Sequence, residues 1–293
     1  MTALPWHAAL QRSVGERLAA GRLPHALLIV GPEGWGETAL ANWLALTLLG
    51  LPTNREAAAL AHPDLRWLAP DGAVIKVDSI RDVVTFTQGT PQAGPRKVAV
   101  IADAHALNVS AANALLKTLE EPPAGTHLVL TSSHPARLLP TIRSRCQDLI
   151  IQPDPALARS WLSDQLDGAD VDVPLFEHGG APVAVLEAVR RGETPLQPLL
   201  EHALRGHGGG EVVQQLLEPG LAGVLARWYR YVLALAAAEW RLAQLAQVPP
   251  RALMAFADEL IWARRQLLTS NSANERLVAE RVVARWCQLP RAR

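Results

Sequence analysis

The stretch that most constrains the fold is HALLIVGPEGWGETALANWLALTLLG, residues 25–50. A short apolar, β-prone run passes directly into a glycine-rich turn and then into a segment with helical spacing that ends on Gly50. A strand that is apolar without alternation must be covered on both faces, as in the middle of a parallel sheet. The turn has glycine at 31, 34 and 36 and threonine at 38, and Gly31, Gly36 and Thr38 fall on the marks of the phosphate-binding pattern G-x-x-x-x-G-K-[ST]. Glu37 stands where that pattern has lysine. In a working loop, backbone N–H groups and the helix dipole cradle the phosphates, the lysine meets the β/γ oxygens and the hydroxyl holds Mg²⁺. Glu37 inverts the charge at the most demanding position. A unit charge at ~4 Å and an effective dielectric near 20 is on the order of 4 kcal/mol, so trading attraction for repulsion costs that much or more. The stretch is therefore a phosphate loop switched off within a retained fold, or a glycine turn with no relation to nucleotides. The strand, loop and helix around it favour the first.

The rest of the first half repeats the alternation. Strands are expected over residues 25–30, 96–104, 126–133 and 148–153, with helical patterns between them, which implies a parallel sheet covered on both faces. In NVSAANALLKTLEEPP, Ser110 is the expected N-cap and Pro122-Pro123 stops the helix. From about residue 154 only helices are expected. DPALARSWLSDQL and APVAVLEAVRRGE flank a loop rich in Asp, Pro and Gly, and amphipathic segments follow over 220–246, 251–270 and 274–289. With 293 residues, more than one core is expected. The predicted class is α/β plus all-α: a nucleotide-binding-type domain over 1–153, a small helical domain over 154–195 and a helical bundle over 196–293.

Composition removes several alternatives. The net charge is zero, so there is no basic field for autonomous binding to nucleic acid. Cys146 and Cys287 lie far apart, leaving no disulfide framework and no Cys-x-x-Cys pair for zinc, which suits a reducing cytoplasm. No uninterrupted apolar run reaches 18 residues, and the N-terminus lacks a signal-like apolar core. No H-x-x-x-H pair with a third ligand and no G-x-S-x-G elbow supports a hydrolase. The nine tryptophans form no regular platform, so core packing is expected for most. Trp35 lies inside the loop, where it is expected to fill or cover the site.

Three further places could carry chemistry. A nucleotide site needs acidic residues at the end of a second strand, but VIADAHAL offers Asp103 alone. One register makes Asp103 the second acid and another makes it the metal-holding one; a helix cap or a surface residue is the plain alternative. Ser132 and Ser133 end the third strand and either contact phosphate or satisfy backbone groups. RSRC places Arg145 just before the last strand, where it is a solvated residue or a fork aimed at a neighbouring subunit's γ-phosphate.

LPHALLIVGPEGWGETALANWLA, HPDLRWL, IKVDSIRDV, NALLKTLEEPPAGTHLVLTSSHPARLLPTIRSRC and FADELIWARRQLL together resemble the bacterial clamp-loader family of AAA+ proteins over nearly the whole chain. The resemblance is strongest over 20–150. It implies a RecA-like AAA+ parallel-sheet domain, a small helical lid and a helical collar that assembles five subunits. It also implies gamma/tau motor subunits and a delta subunit as partners, with the sliding clamp and primed DNA reached through the complex. The stationary member of that family does not hydrolyse ATP but presents its SRC arginine to a motor subunit. That role falls on Arg145, with Ser144 and Cys146 as motif neighbours, and the degenerate site comprises Gly31, Gly34, Gly36, Glu37, Thr38, Asp103 and Ser132. Two departures bear on the resemblance. The zinc module usual after the loop helix has no cysteine in LGLPTNREAAALAHPDL, so no zinc and no cofactor of its own is expected. The lid's sensor arginine is replaced in GGAPVAV, with Val183 at the position. The expected function is a non-hydrolysing clamp-loader subunit of the DNA polymerase III holoenzyme, located in the cytoplasm and serving ATP bound by its neighbour. The rival is a self-contained AAA+ ATPase acting on DNA, against which Glu37, the single acid and Val183 all stand.

Overall fold

A computed structural model describes residues 4–204, 209–218, 220–236, 248–269 and 273–290. The chain divides into two compact units, Met1–Trp161 and Leu162–Arg293. In the first, five strands form one sheet in the order β2-β3-β4-β1-β5, every pairing parallel: β1 (Ala26–Val30), β2 (Leu65–Leu68), β3 (Lys97–Ile101), β4 (Thr126–Ser132) and β5 (Gln147–Ile150). The helices are α1 (Ala8–Ala19), α2 (Glu37–Leu49), α3 (Val77–Gln88), α4 (Val109–Glu120) and the single turn α5 (Pro140–Arg143). The parallel sheet expected from the apolar runs is present. Leu27, Leu28 and Ile29 have no exposed surface at all, which only a strand buried on both faces achieves. One face, carrying Ala26, Leu28, Ala99, Ile101, Leu128 and Leu130, packs on Ile80 and Val83 of α3, Leu115 and Leu119 of α4 and Ile142 of α5. On the sheet α2 meets β1, β3 and β4.

The sequence reading did not place α1 or α5, and two more elements also escaped it. β2 is only four residues, LRWL, at the sheet edge, too short and too mixed in burial to stand out. α3 has helical spacing in Ile80, Val83 and Thr87, the residues that it buries. A third difference concerns α4. Its N-cap is Asn108, whose side-chain oxygen accepts the Ala111 N–H at 2.8 Å, so the helix begins before the expected cap Ser110, which is exposed within its first turn. Asn108 competes better because its extended backbone turns the side chain back over the first free N–H groups.

Buried polar groups fix the loops. Asn42 of α2 donates to the Arg55 carbonyl at 3.0 Å and accepts the Ala57 N–H at 2.6 Å, fastening the cysteine-free segment after α2. Asp64, wholly buried, accepts the N–H groups of Gln92 and Ala93 at 2.8 and 2.6 Å. Burial pushes its carboxyl up, but these two amides and the nearby Lys97 outweigh it and hold the pKa below the ordinary value.

The second unit is helical: α6 (Pro155–Gln165), which crosses the division, α7 (Asp172–Glu177), α8 (Pro182–Arg190), α9 (Leu196–Leu204), α10 (Gly209–Leu217), α11 (Leu221–Ala236), α12 (Pro250–Thr269) and α13 (Glu275–Cys287). α7 lies where a loop was expected. Residues 237–246 of the segment expected over 220–246, with Trp240, lie outside the described residues. The core is an aromatic triangle in which Trp228, Phe256 and Trp286 have ring centroids 5.1–5.5 Å apart. The Trp286 indole donates to the Leu200 carbonyl at 2.9 Å, tying α13 to α9.

The cap assignment has a direct test. Asn108→Ala is expected to destabilise the first unit by about 1 kcal/mol, whereas Ser110→Ala changes stability by no more than a few tenths, roughly. Urea denaturation of the two variants distinguishes them.

Candidate functional site

Parallel strands send all their following loops to one end of the sheet. The glycine turn leaves β1 there, between the ends of β4 and β5, the strands that flank it. Such a crevice at the carboxyl ends of strands is where open α/β sheets take ligands. Gly31 is buried, and a Cβ at that position would press within 3.0–3.1 Å of the Ile151 side chain. Gly36 begins α2 with φ of 93°, a conformation that a side chain would strain. Gly34 also has positive φ, 78°, and Thr38 is exposed in the first turn of α2. The turn thus has the backbone form that the sequence pattern requires.

Trp35 does not point out into solvent. It is buried, its N–H donates to the Pro32 carbonyl at 3.1 Å, and its carbonyl accepts two bonds from the N-terminal turn Pro5–His7. The Trp6 indole donates at 2.9 Å and the His7 Nε2–H at 3.1 Å. Burial lowers the His7 pKa to about 4, so the ring is neutral and must carry its proton on Nε2 to serve this acceptor. Trp6 also stacks edge-on against Trp35 and Trp161, with centroids 5.6 and 5.2 Å away. Leu4 and His7 lie over Gly36 so closely that any Cβ there would collide with them. The chain's own N-terminal segment therefore packs on the loop, a contact between residues 29 positions apart that no local pattern announces.

The electrostatics are those of an acidic site. Glu37 is half-buried, with its Cγ 3.4 Å from where a Gly31 Cβ would be. Burial raises its pKa to about 7, an effect opposed by the backbone N–H groups of Glu37 and Gly36 and reinforced by the charges of Asp103 and Glu33. Asp103 is exposed in left-handed conformation, φ 49°, at the start of the 3₁₀ turn Ala104–Ala106; its side chain makes no cap bond, while its N–H donates to Thr131 Oγ1 at 3.0 Å. Ser132 is buried; its hydroxyl accepts the His134 N–H at 3.2 Å and lies 3.3 Å from His105 Nδ1. Ser133 pairs with His134 Nδ1 at 2.9 Å. The fold thus brings together Glu37, Asp103 and Glu33 near the turn. Val183 is the second residue of α8, in the second unit.

Arg145 lies at the other end of the sheet. Ser144, Arg145 and Cys146 link α5 to β5, and β5 pairs with β1 from Gln147 opposite Leu27 to Ile150 opposite Val30. Gly31 is a further about 13 Å along the strand direction from the level of Leu27, beyond the reach of an arginine side chain that starts before that level. Ser144 is exposed; its hydroxyl donates to the Thr141 carbonyl at 3.2 Å. Cys146 is partly buried, and burial pushes its thiol up to about 12, so it is no nucleophile at neutral pH. The Arg145 guanidinium is half-exposed and is held by Glu120, the Thr141 carbonyl and the Ser144 hydroxyl.

A parallel sheet in this strand order, a glycine turn leaving its inner strand β1 and a helical unit after it give an AAA+-like fold with a RecA-like sheet domain. The solved structure of a DNA polymerase III gamma subunit-related protein of Thermotoga maritima MSB8 shares the fold, with a TM-score of 0.52 and 22% identity over 96% of this chain and 98% of that one. The family described as DNA polymerase III, delta subunit matches residues 6–155. The DNA polymerase III subunit delta' of Pseudomonas aeruginosa PAO1 is 33% identical over 98% of each chain. The subunit tau of Escherichia coli K12 is 38% identical over 44% of this chain and 22% of its own length. The chain belongs to the delta' family of DNA polymerase III subunits.

The raised carboxyl of Glu37 sets a pH dependence. Between an ordinary value of 4.5 and about 7 the folded chain keeps a proton that the unfolded chain has released. This stability is therefore complete below about 4.5 and is lost as pH rises through 7. Glu37→Gln is expected to flatten that slope and to be more stable than the parent above pH 7 by up to about 3 kcal/mol. Denaturant unfolding followed from pH 4 to pH 9 measures the difference.

Proposed function

We propose that this chain is a non-hydrolysing clamp-loader subunit of the DNA polymerase III holoenzyme, one that supplies Arg145 as an arginine finger to ATP bound by a neighbouring subunit. The observation that carries the reading is the placement of Arg145 at the end of the sheet opposite the chain's own glycine turn. A guanidinium there has no use for its own loop but is free to meet a partner's. Glu37, Asp103 and Glu33 around the turn, with the Trp6, His7 and Trp35 packing, support a site that leaves ATP to the neighbour. In this reading the chain needs no nucleotide, zinc or other cofactor of its own. The relatives' names, delta' and tau, support gamma/tau ATPase subunits and a delta subunit as partners. A hetero-pentamer that acts on the sliding clamp and primed DNA in the cytoplasm completes the proposal. So does a division into an AAA+ domain (1–153), a lid (154–195) bearing Val183 in place of a sensor arginine, and a collar (196–293). No described helix is long and apolar enough to cross a membrane.

The chemistry follows from charge. As the γ-phosphoryl transfers, negative charge grows on its equatorial oxygens, and a planar, permanently charged fork placed on them lowers the barrier by an amount worth on the order of 10³ or more in rate. For the collar, α12 supports an assembly role. Met254, Ile261 and Leu268 are spaced seven apart and are 47%, 49% and 64% exposed, a line of apolar side chains along one side of the helix.

In a reconstituted loader, Arg145→Ala is expected to cut turnover at the neighbouring site on the order of 10³-fold while assembly on a sizing column stays intact. Unchanged ATPase and clamp loading would sink the proposal. The purified chain alone should neither hydrolyse ATP nor gain turnover from Glu37→Lys; Mg²⁺-dependent turnover in isolation would instead establish a self-contained ATPase. Changing Met254, Ile261 and Leu268 together to glutamine is expected to weaken assembly about tenfold or more, with helicity by circular dichroism unchanged.

A further inference from the structure

The guanidinium of Arg145 has five N–H groups in a fixed fork, and four have partners in the chain. Nε donates to Glu120 Oε1 at 2.7 Å and Nη2 pairs with the same carboxylate. Nη1 donates to the Thr141 carbonyl at 2.9 Å and to the Ser144 hydroxyl at 3.3 Å. One hydrogen on Nη2 is without a partner among the described residues. A phosphate gripped by the fork takes two parallel N–H bonds, and the Nε/Nη2 edge that would give them is the edge on Glu120.

Glu120 makes side-chain hydrogen bonds and ion pairs only with Arg145 among the described residues. It is the last residue of α4, where the negative end of the helix dipole disfavours a carboxylate. The next residues, Glu121 and Pro122-Pro123, end the helix without it: the Glu121 N–H bonds back to the Lys117 carbonyl, and Thr126 starts β4. The side chain is 48% exposed and so buries little. What it does is hold Arg145. The two groups come from segments 25 residues apart, brought together because α4 ends and β5 begins at the same end of the sheet.

We propose that Glu120 is a latch on Arg145: a positioning residue that occupies the Nε/Nη2 edge of the guanidinium and yields it only to a more highly charged oxyanion, the γ-phosphate of a neighbour's nucleotide. The proposal rests on the reading of Arg145 as a finger acting in trans. Thr141 and Ser144 keep Nη1 through the exchange, so the guanidinium swings about a fixed corner and is not drawn out of solvent anew. The exposed carboxylate is a weak competitor, as half-exposed ion pairs are. A terminal phosphate carrying about two charges displaces it, and a shorter nucleotide that does not present a phosphate at this position does not. Glu120 thus makes the finger selective for the triphosphate and keeps it from resting on other anions.

The test uses the reconstituted loader with four variants of this chain. Glu120→Gln, which keeps the size and removes the charge, is expected to raise kcat/KM for ATP at the neighbouring site roughly two- to fivefold, the range that follows from releasing one exposed pair. The gain should shrink with added salt, because only an electrostatic competitor is screened. Glu120→Asp, with a shorter reach, should fall between parent and Gln. In the Arg145→Ala background Glu120→Gln should change nothing. A decrease or no change with Glu120→Gln, while Arg145→Ala still abolishes stimulation, overturns the latch and leaves the finger standing. A gain that persists in the Arg145→Ala background also overturns the latch, since it would not pass through Arg145. No effect of Arg145→Ala removes the finger and the latch with it.

Discussion

Parallel pairing about β1 is the constraint on which the first unit depends. Once every strand runs the same way, all loops that follow strands collect at one end and all those that precede them at the other. β1 is buried on both faces and holds β4 on one side and β5 on the other, so its register fixes both ends together. The glycine turn has to start beyond Val30 and Arg145 has to lie before Gln147. No side-chain choice could bring them together without breaking the ladder. The separation of the two features is therefore a property of topology, and the residues only decide what each end does.

At the carboxyl end the groups around the glycine turn reinforce one another physically. Burial above all, and then the charges of Asp103 and Glu33, push the Glu37 pKa up against the opposing effect of the Glu37 and Gly36 amides. Trp6 and His7 then use the Trp35 carbonyl as an anchor, which ties the turn to the N-terminal segment. In the second unit an analogous rule governs buried charge. Arg227 bridges Glu177 and Glu193 at 2.7 and 3.0 Å, while Glu177 also accepts the N–H groups of Leu196 and Gln197 at the start of α9. A charge taken out of water is tolerated where it is paired, as Arg227 is through both Nη atoms, although its buried Nε has no hydrogen-bond partner among the described residues. Loss of one member leaves the others stranded.

The sheet was legible where the chain was most extreme. β1, β3 and β4 are the largely apolar runs that a parallel sheet demands, β5 is a half-polar edge strand whose apolar end, Leu149 and Ile150, was visible, and the near-match at 31–38 stands directly after the first of them. β2 was not legible because four edge residues with one exposed side chain carry almost no periodic signal, and α7 because its six residues, DVPLFE, lie between Asp- and Gly-rich flanks that read as loop. α3 did carry a signal in Ile80, Val83 and Thr87. Of the candidate site, Glu37 and Arg145 could be singled out by type and motif position. Their surroundings could not, because Trp6 with Trp35, Asn42 with Arg55 and Ala57, and Glu120 with Arg145 are brought together by the tertiary fold. Sequence patterns report what a residue repeats with, and these contacts are made once.

The opposed placement of turn and arginine also has a consequence for symmetry. Under the proposed role the arginine end gives and the turn end receives, and a head-to-tail contact uses one end of each chain and leaves the other open. Head-to-tail contacts propagate until something stops them. A chain whose receiving end is already filled by its own Glu37 and covered by its own N-terminal turn adds to such a row in one direction only. Under the proposed role it is a terminus by construction, and the row it joins has a first member and a direction before any ligand arrives.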